Sequence, residues 1–240
     1  MQLKPGAVRR TAKGIIVETW QSQANLSLFL VLQVLIAFIL PSIGFGNKDL
    51  QLYGDIGFSI MLVSGVAIAW GRRKLFLAVV VVGCVALTVR WLAWWRPGGQ
   101  IALWSDWWTL AAILLISLVL LTQIFRPGRV THVRIQGAIA VYLLFGIGWA
   151  HAYHIAAIRH PGSFSVPAGE APTMVAWIYF SFVTLTTVGY GDITPVLPIA
   201  RTLAMGEALA GQLYLAVMIA RLVAMEVVFW QQGATRNTDS

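Results

Sequence analysis

Thr184-Leu-Thr-Thr-Val-Gly-Tyr-Gly-Asp192 is the stretch on which the reading of this chain turns. Gly189 and Gly191 alternate with Val188 and Tyr190, and glycine adopts backbone angles that other residues avoid. A strip that alternates permissive and ordinary residues turns successive carbonyl oxygens the same way. Several such strips around one axis stack their oxygens into rings, and those rings replace the water shell of a dehydrated cation. Thr187 adds a hydroxyl at the inner end. Val188 and the Tyr190 ring then point away from the axis and brace the strip.

The flanks sharpen this reading. Thr173 to about Thr186 reads as a short helix behind Pro172, with Thr173 as its cap. Residues 198–224 read as a long apolar helix, with Pro195 and Pro198 before it where proline is tolerated. Thr186-Thr-Val-Gly-Tyr-Gly-Asp192, set between those two helices, resembles the selectivity-filter signature of tetrameric potassium channels.

The resemblance covers the last hundred or so residues and implies a pore domain over 135–230. Its parts are an outer helix over 135–158, a polar outer loop from Arg159 to Pro172, a re-entrant pore helix, the filter and the inner helix. It implies K+ held by the carbonyls of Thr187, Val188, Gly189 and Tyr190, with Gly191 completing the strip. The ions are the permeant species, and no organic cofactor or covalent chemistry is implied. In similar channels aromatics at the positions of Tyr179 and Phe180 form a cuff with the filter tyrosine, here Tyr190. Thr186 and Asp192 flank the strip as further support. Some relatives carry a glutamate at the position of Val183 that hydrogen-bonds the filter aspartate, so Asp192 needs another partner here or stays hydrated. The family alignment places Gln212, Leu215, Ile219 and Val223 on the cavity-lining face, where an apolar ring gates by dewetting. Gly211 falls at a hinge position, and close helix packing explains it equally well. One chain supplies one strip, and a ring needs four, so the expectation is a homotetramer.

Composition agrees with a membrane setting. Of the 240 residues, 58% are hydrophobic and 11% charged, where a soluble domain has about 25% charged. Cys84 is the one cysteine, which excludes an intrachain disulfide. The net charge of +8 invites a nucleic-acid partner, but the basic residues cluster at the ends of apolar runs, and the positive-inside rule accounts for them. Membrane lipid and further copies of the chain are the expected partners, together with an unidentified regulatory partner, and no nucleic acid.

Four apolar runs, about 26–43, 54–70, 75–95 and 105–125, precede the pore half and read as a four-helix transmembrane domain over 26–125. The fold class is therefore all-α membrane protein, with six spans plus the re-entrant helix. Gly57, Ser59, Ser64 and Gly65 interrupt the second run, as small residues do where membrane helices pack closely. Residues 1–25 place Lys4, Arg9, Arg10 and Lys13 among Val8, Ala12, Ile15 and Ile16. They read either as an amphipathic helix on the inner membrane surface or as a disordered basic tail. Arg72, Arg73 and Lys74, then Arg126, Arg129 and Arg134 in a linker over 126–134, put both termini in the cytoplasm. Trp91, Trp94, Trp95, Trp104, Trp107 and Trp108 mark the outer interface. The plasma membrane, in a bacterium the inner membrane, is the expected location. A short polar tail, 231–240, leaves no room for a ligand-binding domain.

The fourth run carries no charged residue between Asp106 and Arg126. A voltage-sensing helix needs several, because the field acts on charge. The four helices thus resemble a voltage-sensor domain in number and lack its gating arginines. Arg90 is isolated near the outer interface, where it either snorkels or pairs with Asp106 or Asp55, and a structural pair is the expectation. Glu207 is a carboxyl group inside an apolar helix, costly unless paired or neutral. It either hydrogen-bonds the back of the pore helix at Ser181 or Thr184 or serves as a pH-sensitive group. His151 and His154 share a helix face. They read as hydrogen-bonding groups, and a membrane haem or redox protein using them is one alternative to the channel. A weakly selective cation channel of the same fold is the other. Arg221 and Glu226 are expected to anchor the inner helix near the cytoplasmic end, with a solvated pair as the alternative.

Overall fold

The computed structural model describes residues 25–39, 48–68, 73–95, 99–126, 130–167 and 172–238. The N-terminal segment expected over 1–25 lies outside them except for its last residue, as do Arg72, Arg129 and the centre of the outer loop.

The chain is a helical membrane protein. Among the described residues seven helices follow one another: α1 (Asn25–Ile39), which closes in a π-helical turn over Leu35–Ile39, α2 (Lys48–Ile68), α3 (Arg73–Trp95), α4 (Gly99–Ile124), α5 (His132–Arg159), α6 (Met174–Leu185) and α7 (Pro198–Thr238). Among the described residues four are long and apolar enough to cross a membrane: α3, α4, α5 and α7. The described apolar parts of α1 and α2 are shorter.

The second apolar run is unbroken despite its small residues. Ser59 Oγ donates to the Asp55 carbonyl at 2.7 Å and Ser64 Oγ to the Met61 carbonyl at 2.8 Å. The hydroxyls are thus satisfied on their own helix. Gly65 makes room for Ile116 of α4: a Cβ there would lie 2.7 Å from the Ile116 Cδ1.

Helix α5 forms the middle of the core. Ala140, Val141, Leu144, Ile147, Ala150 and Tyr153 are buried along it. It packs on α4 through Ile113, Ile116, Leu120 and Ile124, which recur at three- and four-residue spacing and so share one face. Helix α1 lies across the C-terminal helices. Gln33 Nε2 donates to the Ala140 carbonyl at 3.1 Å, Gln136 Nε2 to Ser27 Oγ at 3.2 Å, and the Phe38 ring sits 5.3 Å from that of Phe182 in α6.

Two details differ from the sequence expectation. The inner helix continues to Thr238 instead of ending near 224. Valines, a phenylalanine and glutamines follow 224, no proline interrupts them, and the polar tail over 231–240 is helical to Thr238. The segments flanking α6 also pair. Phe164–Ser165 (β1) and Thr194–Pro195 (β2) form a short antiparallel ladder, Phe164 opposite Pro195 and Ser165 opposite Thr194. Val196 N–H adds a bond to the Ser163 carbonyl at 2.8 Å. This ladder ties the segment after α5 to the segment after the strip over 184–192.

Candidate functional site: the strip after α6

Helix α6 sets the strip's direction. Thr173 occupies its N-cap position in extended conformation, but the hydroxyl makes no capping bond, contrary to expectation. At the other end Thr186 Oγ1 donates to the Phe182 carbonyl at 2.6 Å, and Thr187 N–H to that of Thr184 at 2.9 Å. The Val183 carbonyl then takes two donors from the strip, Val188 N–H at 2.9 Å and Gly189 N–H at 3.3 Å. The chain leaves the helix folded back against its own last turn.

The backbone of the strip alternates in hand. Thr187 has φ +60°, Gly189 +60° and Gly191 +82°, while Val188 and Tyr190 between them stay at negative φ. Among the described residues Thr187 is the one non-glycine with positive φ. Such a residue is uncommon, above all when β-branched, and residues held in this way cluster at functional sites. A Cβ at Gly189 or Gly191 would meet nothing within 4 Å, so glycine is needed there for its backbone. Val188 and Tyr190 are 52% and 72% exposed, so the strip is not buried by its own chain.

The supporting residues divide into two groups. Tyr179 stacks on Tyr190, rings parallel within 6° and 6.5 Å apart, and the Asp192 carboxyl is the charged group near its hydroxyl. Phe180 takes no part in this stack, against expectation. It lies on the opposite side of α6, 4.8 Å from the Tyr153 ring, 5.7 Å from Phe164 and 6.5 Å from Trp177. Adjacent residues on a helix point about 100° apart, so Tyr179 and Phe180 do not share a target. Phe180 instead joins a buried aromatic cluster that holds α6 against α5.

Glu207 is fully buried, and its carboxyl group meets the hydroxyls of Ser181 in α6 and Tyr153 in α5. Of the two partners anticipated, Ser181 is met. Thr184 instead donates to the Phe180 carbonyl at 2.8 Å. Sequence reading missed Tyr153; nothing local marks it, since it lies 54 residues from Glu207.

Gly211 abuts the end of α6: a Cβ there would fall 2.7 Å from the Leu185 carbonyl oxygen. Close packing accounts for this glycine. Gly146 plays the same part on α5, where a Cβ would lie 2.6 Å from the Phe182 ring. Helix α7 turns Glu207, Gly211, Met218 and Met225 inward, while Gln212, Leu215, Ile219 and Val223 are exposed on another face. Tyr214, also missed from sequence, fastens α7 to α5 through its hydroxyl, which donates to the Ala138 carbonyl at 2.7 Å. Lower down, Arg221 lies over the Phe125 ring at 6.0 Å, and Arg134 Nη1 reaches Met225 Sδ at 3.4 Å. Arg221 is thus set against the end of α4, while Glu226 keeps one carboxyl oxygen buried with no hydrogen-bond partner among the described residues.

Outside the strip, Asp106 of α4 bridges both histidines of α5. His151 Nδ1 lies 2.8 Å from Oδ1, and His154 Nδ1 lies 2.7 Å from Oδ2. Arg90 pairs with Asp55 at 2.5 Å and stacks over Phe58, whose ring meets His151 edge-on. Of the two partners considered for Arg90, Asp55 is the one found.

Residues 137–227 match the family described as "Ion channel". The match begins inside α5 and ends inside α7, so the strip lies within it and the first four helices lie outside. The chain is 31% identical over 99 residues to two pore potassium channel c of Oryza sativa subsp. japonica, a match covering 41% of this chain and 20% of that protein. It is 34% identical over 87 residues to protein LctB of Bacillus caldotenax, covering 34% of this chain and 64% of LctB. Protein LctB of Geobacillus stearothermophilus is 35% identical over 81 residues, covering 34% of this chain and 58% of that protein. The chain therefore spans a fifth of the plant relative and somewhat under two thirds of the two bacterial ones.

Proposed function

We propose that this chain is one subunit of a homotetrameric, potassium-selective channel that conducts K+ passively. The observation that carries the reading is the positive φ at Thr187, Gly189 and Gly191, alternate residues of an exposed strip. That alternation is what a wall of inward carbonyls requires. The carbonyls of Thr187, Val188, Gly189 and Tyr190 and the Thr187 hydroxyl hold the ions. Their sites strip water yet sit close enough for ions to repel one another onward. Tyr179, Asp192 and Thr186 support the strip at its two ends, and Glu207 supports it from behind. Gln212, Leu215, Ile219 and Val223 line the cavity below. The match to the ion-channel family over 137–227 supports the domain assignment, and the name of the plant relative supports the choice of ion.

The channel is a multi-pass plasma-membrane protein with both termini cytoplasmic, as the basic loops favour. Helix α4, uncharged between Asp106 and Arg126, does not drive voltage gating. Bi-ionic reversal potentials of the reconstituted protein test the proposal. Selectivity for K+ over Na+ is the expected result; equal permeability of the two ions overturns it in favour of a weakly selective cation pore.

A further inference from the structure

Behind the strip lies a buried chain of oxygens that the conduction pathway does not use. The Tyr153 hydroxyl of α5 meets Glu207 Oε2, and the Ser181 hydroxyl of α6 meets Glu207 Oε1. The same Ser181 hydroxyl lies 2.7 Å from the carbonyl oxygen of Gly146. The order is Tyr153, Glu207, Ser181, Gly146. It contains three oxygen–oxygen contacts, and each needs one proton between its partners.

The hydroxyls supply two. Tyrosine and serine carry one O–H each, and a backbone carbonyl carries none. If Glu207 is a carboxylate, Ser181 faces two acceptors with a single proton. One contact then sets lone pair against lone pair, and Ser181 and Glu207 are both 0% exposed. A proton on Glu207 Oε1 completes the set: Glu207 donates to Ser181, Ser181 to Gly146, and Tyr153 to Oε2. Charge leads to the same answer. Among the described residues no lysine, arginine or histidine forms an ion pair with Glu207, and a buried carboxylate without a cation is strongly disfavoured. The titratable groups facing it are Tyr153 and, farther along α5, Tyr142.

We propose that Glu207 is a neutral carboxylic acid at physiological pH, and that in this form it is a positioning residue joining the inner, pore and outer helices directly behind the filter. The effect on conduction rests on the channel reading; the protonation state does not. Ser181 stands two residues before Val183, whose carbonyl accepts from the Val188 and Gly189 amides of the strip. A shift at the clamp therefore reaches the ion sites through less than one helical turn.

Infrared difference spectra of the purified full chain against E207Q, at neutral pH, test the assignment. The expected signal is loss of the carbonyl band of a protonated carboxylic acid, with no carboxylate band lost. Glutamine donates from its amide nitrogen and accepts at its oxygen, so E207Q is expected to keep the K+-over-Na+ permeability ratio within about twofold. E207A and S181A are expected to lower it about tenfold, the equivalent of one buried hydrogen bond. Loss of a carboxylate band, or E207Q falling as far as E207A, overturns the proposal. If the protein passes no K+ and the acid band is still present, the channel reading fails and the neutral Glu207 stands.

Discussion

At Gly211 a single missing methyl group decides where two helices meet. The alanine Cβ would stand 2.7 Å from the Leu185 carbonyl oxygen and 2.8 Å from its Cδ1. The first is rigid backbone at the end of α6. Gly211→Ala is therefore expected to destabilise the folded chain by about 1–3 kcal/mol, as overpacking does, and to reduce single-channel conductance. Thermal melting in detergent and bilayer recording check the two parts. Gly189 is a different case. Space around it is open and φ is +60°, so Gly189→Ala tests the backbone alone. A left-handed angle costs an L-residue about 1–2 kcal/mol, and the expected outcome is loss of selective K+ current with little change in expression or helix content by circular dichroism. Sequence alone left Gly211 balanced between hinge and packing, because the residue it touches is not its sequence neighbour. Gly189 was legible, because the constraint there is local.

Between elements, polar side chains fasten the first four helices to the C-terminal helices and to each other. Asp106 accepts from two histidines one turn apart on α5, so one α4 carboxylate fixes the rotation of α5. Asp106→Ala leaves both imidazoles without that partner and is expected to lower stability by about 1–3 kcal/mol, read as the melting midpoint in detergent. The Arg90–Asp55 pair joins α2 to α3 with both side chains largely buried. A double-mutant cycle with Arg90→Gln and Asp55→Asn is expected to show coupling of about 0.5–3 kcal/mol; additive losses would mean that the pair is no more than a neighbourly contact. These fasteners show where sequence reading stops. Helix identity and the Thr186–Asp192 strip were legible because each is dictated by hydropathy or by residue order over a short span. The partners of Asp106 lie 45 and 48 residues away, and the Tyr179–Phe180 pair was read as one unit because helix rotation was not yet fixed. The β1–β2 ladder was invisible for the same reason: two residues a side carry no periodic signal.

Over the whole molecule the outer helix and the inner helix differ sharply. In the most apolar window of α5, 56% is buried by the chain itself; in that of α7 the figure is 6%. Lipid or further copies must cover α7, and the exposed strip beside it favours copies on at least one side. Native mass spectrometry of the purified protein is expected to give four chains per particle. A ligand that binds only the assembled ring stabilises it by mass action, about 2.7 kcal/mol at a hundred times its dissociation constant. Under the proposed function, replacing K+ with Na+ is thus expected to lower the temperature at which a tetramer dissociates, seen by gel mobility after heating. One dimension of α7 has a further consequence. Its 41 residues make a rod of about 60 Å at 1.5 Å per residue, against a hydrocarbon slab of about 30 Å. Laying the whole rod inside the slab would need a lean of about 60°, beyond the roughly 40° limit seen for such helices. Some four turns or more must therefore stand proud of the bilayer as a post, a lever arm on which a pull or twist from the aqueous side would bear on the same helix that carries Gly211.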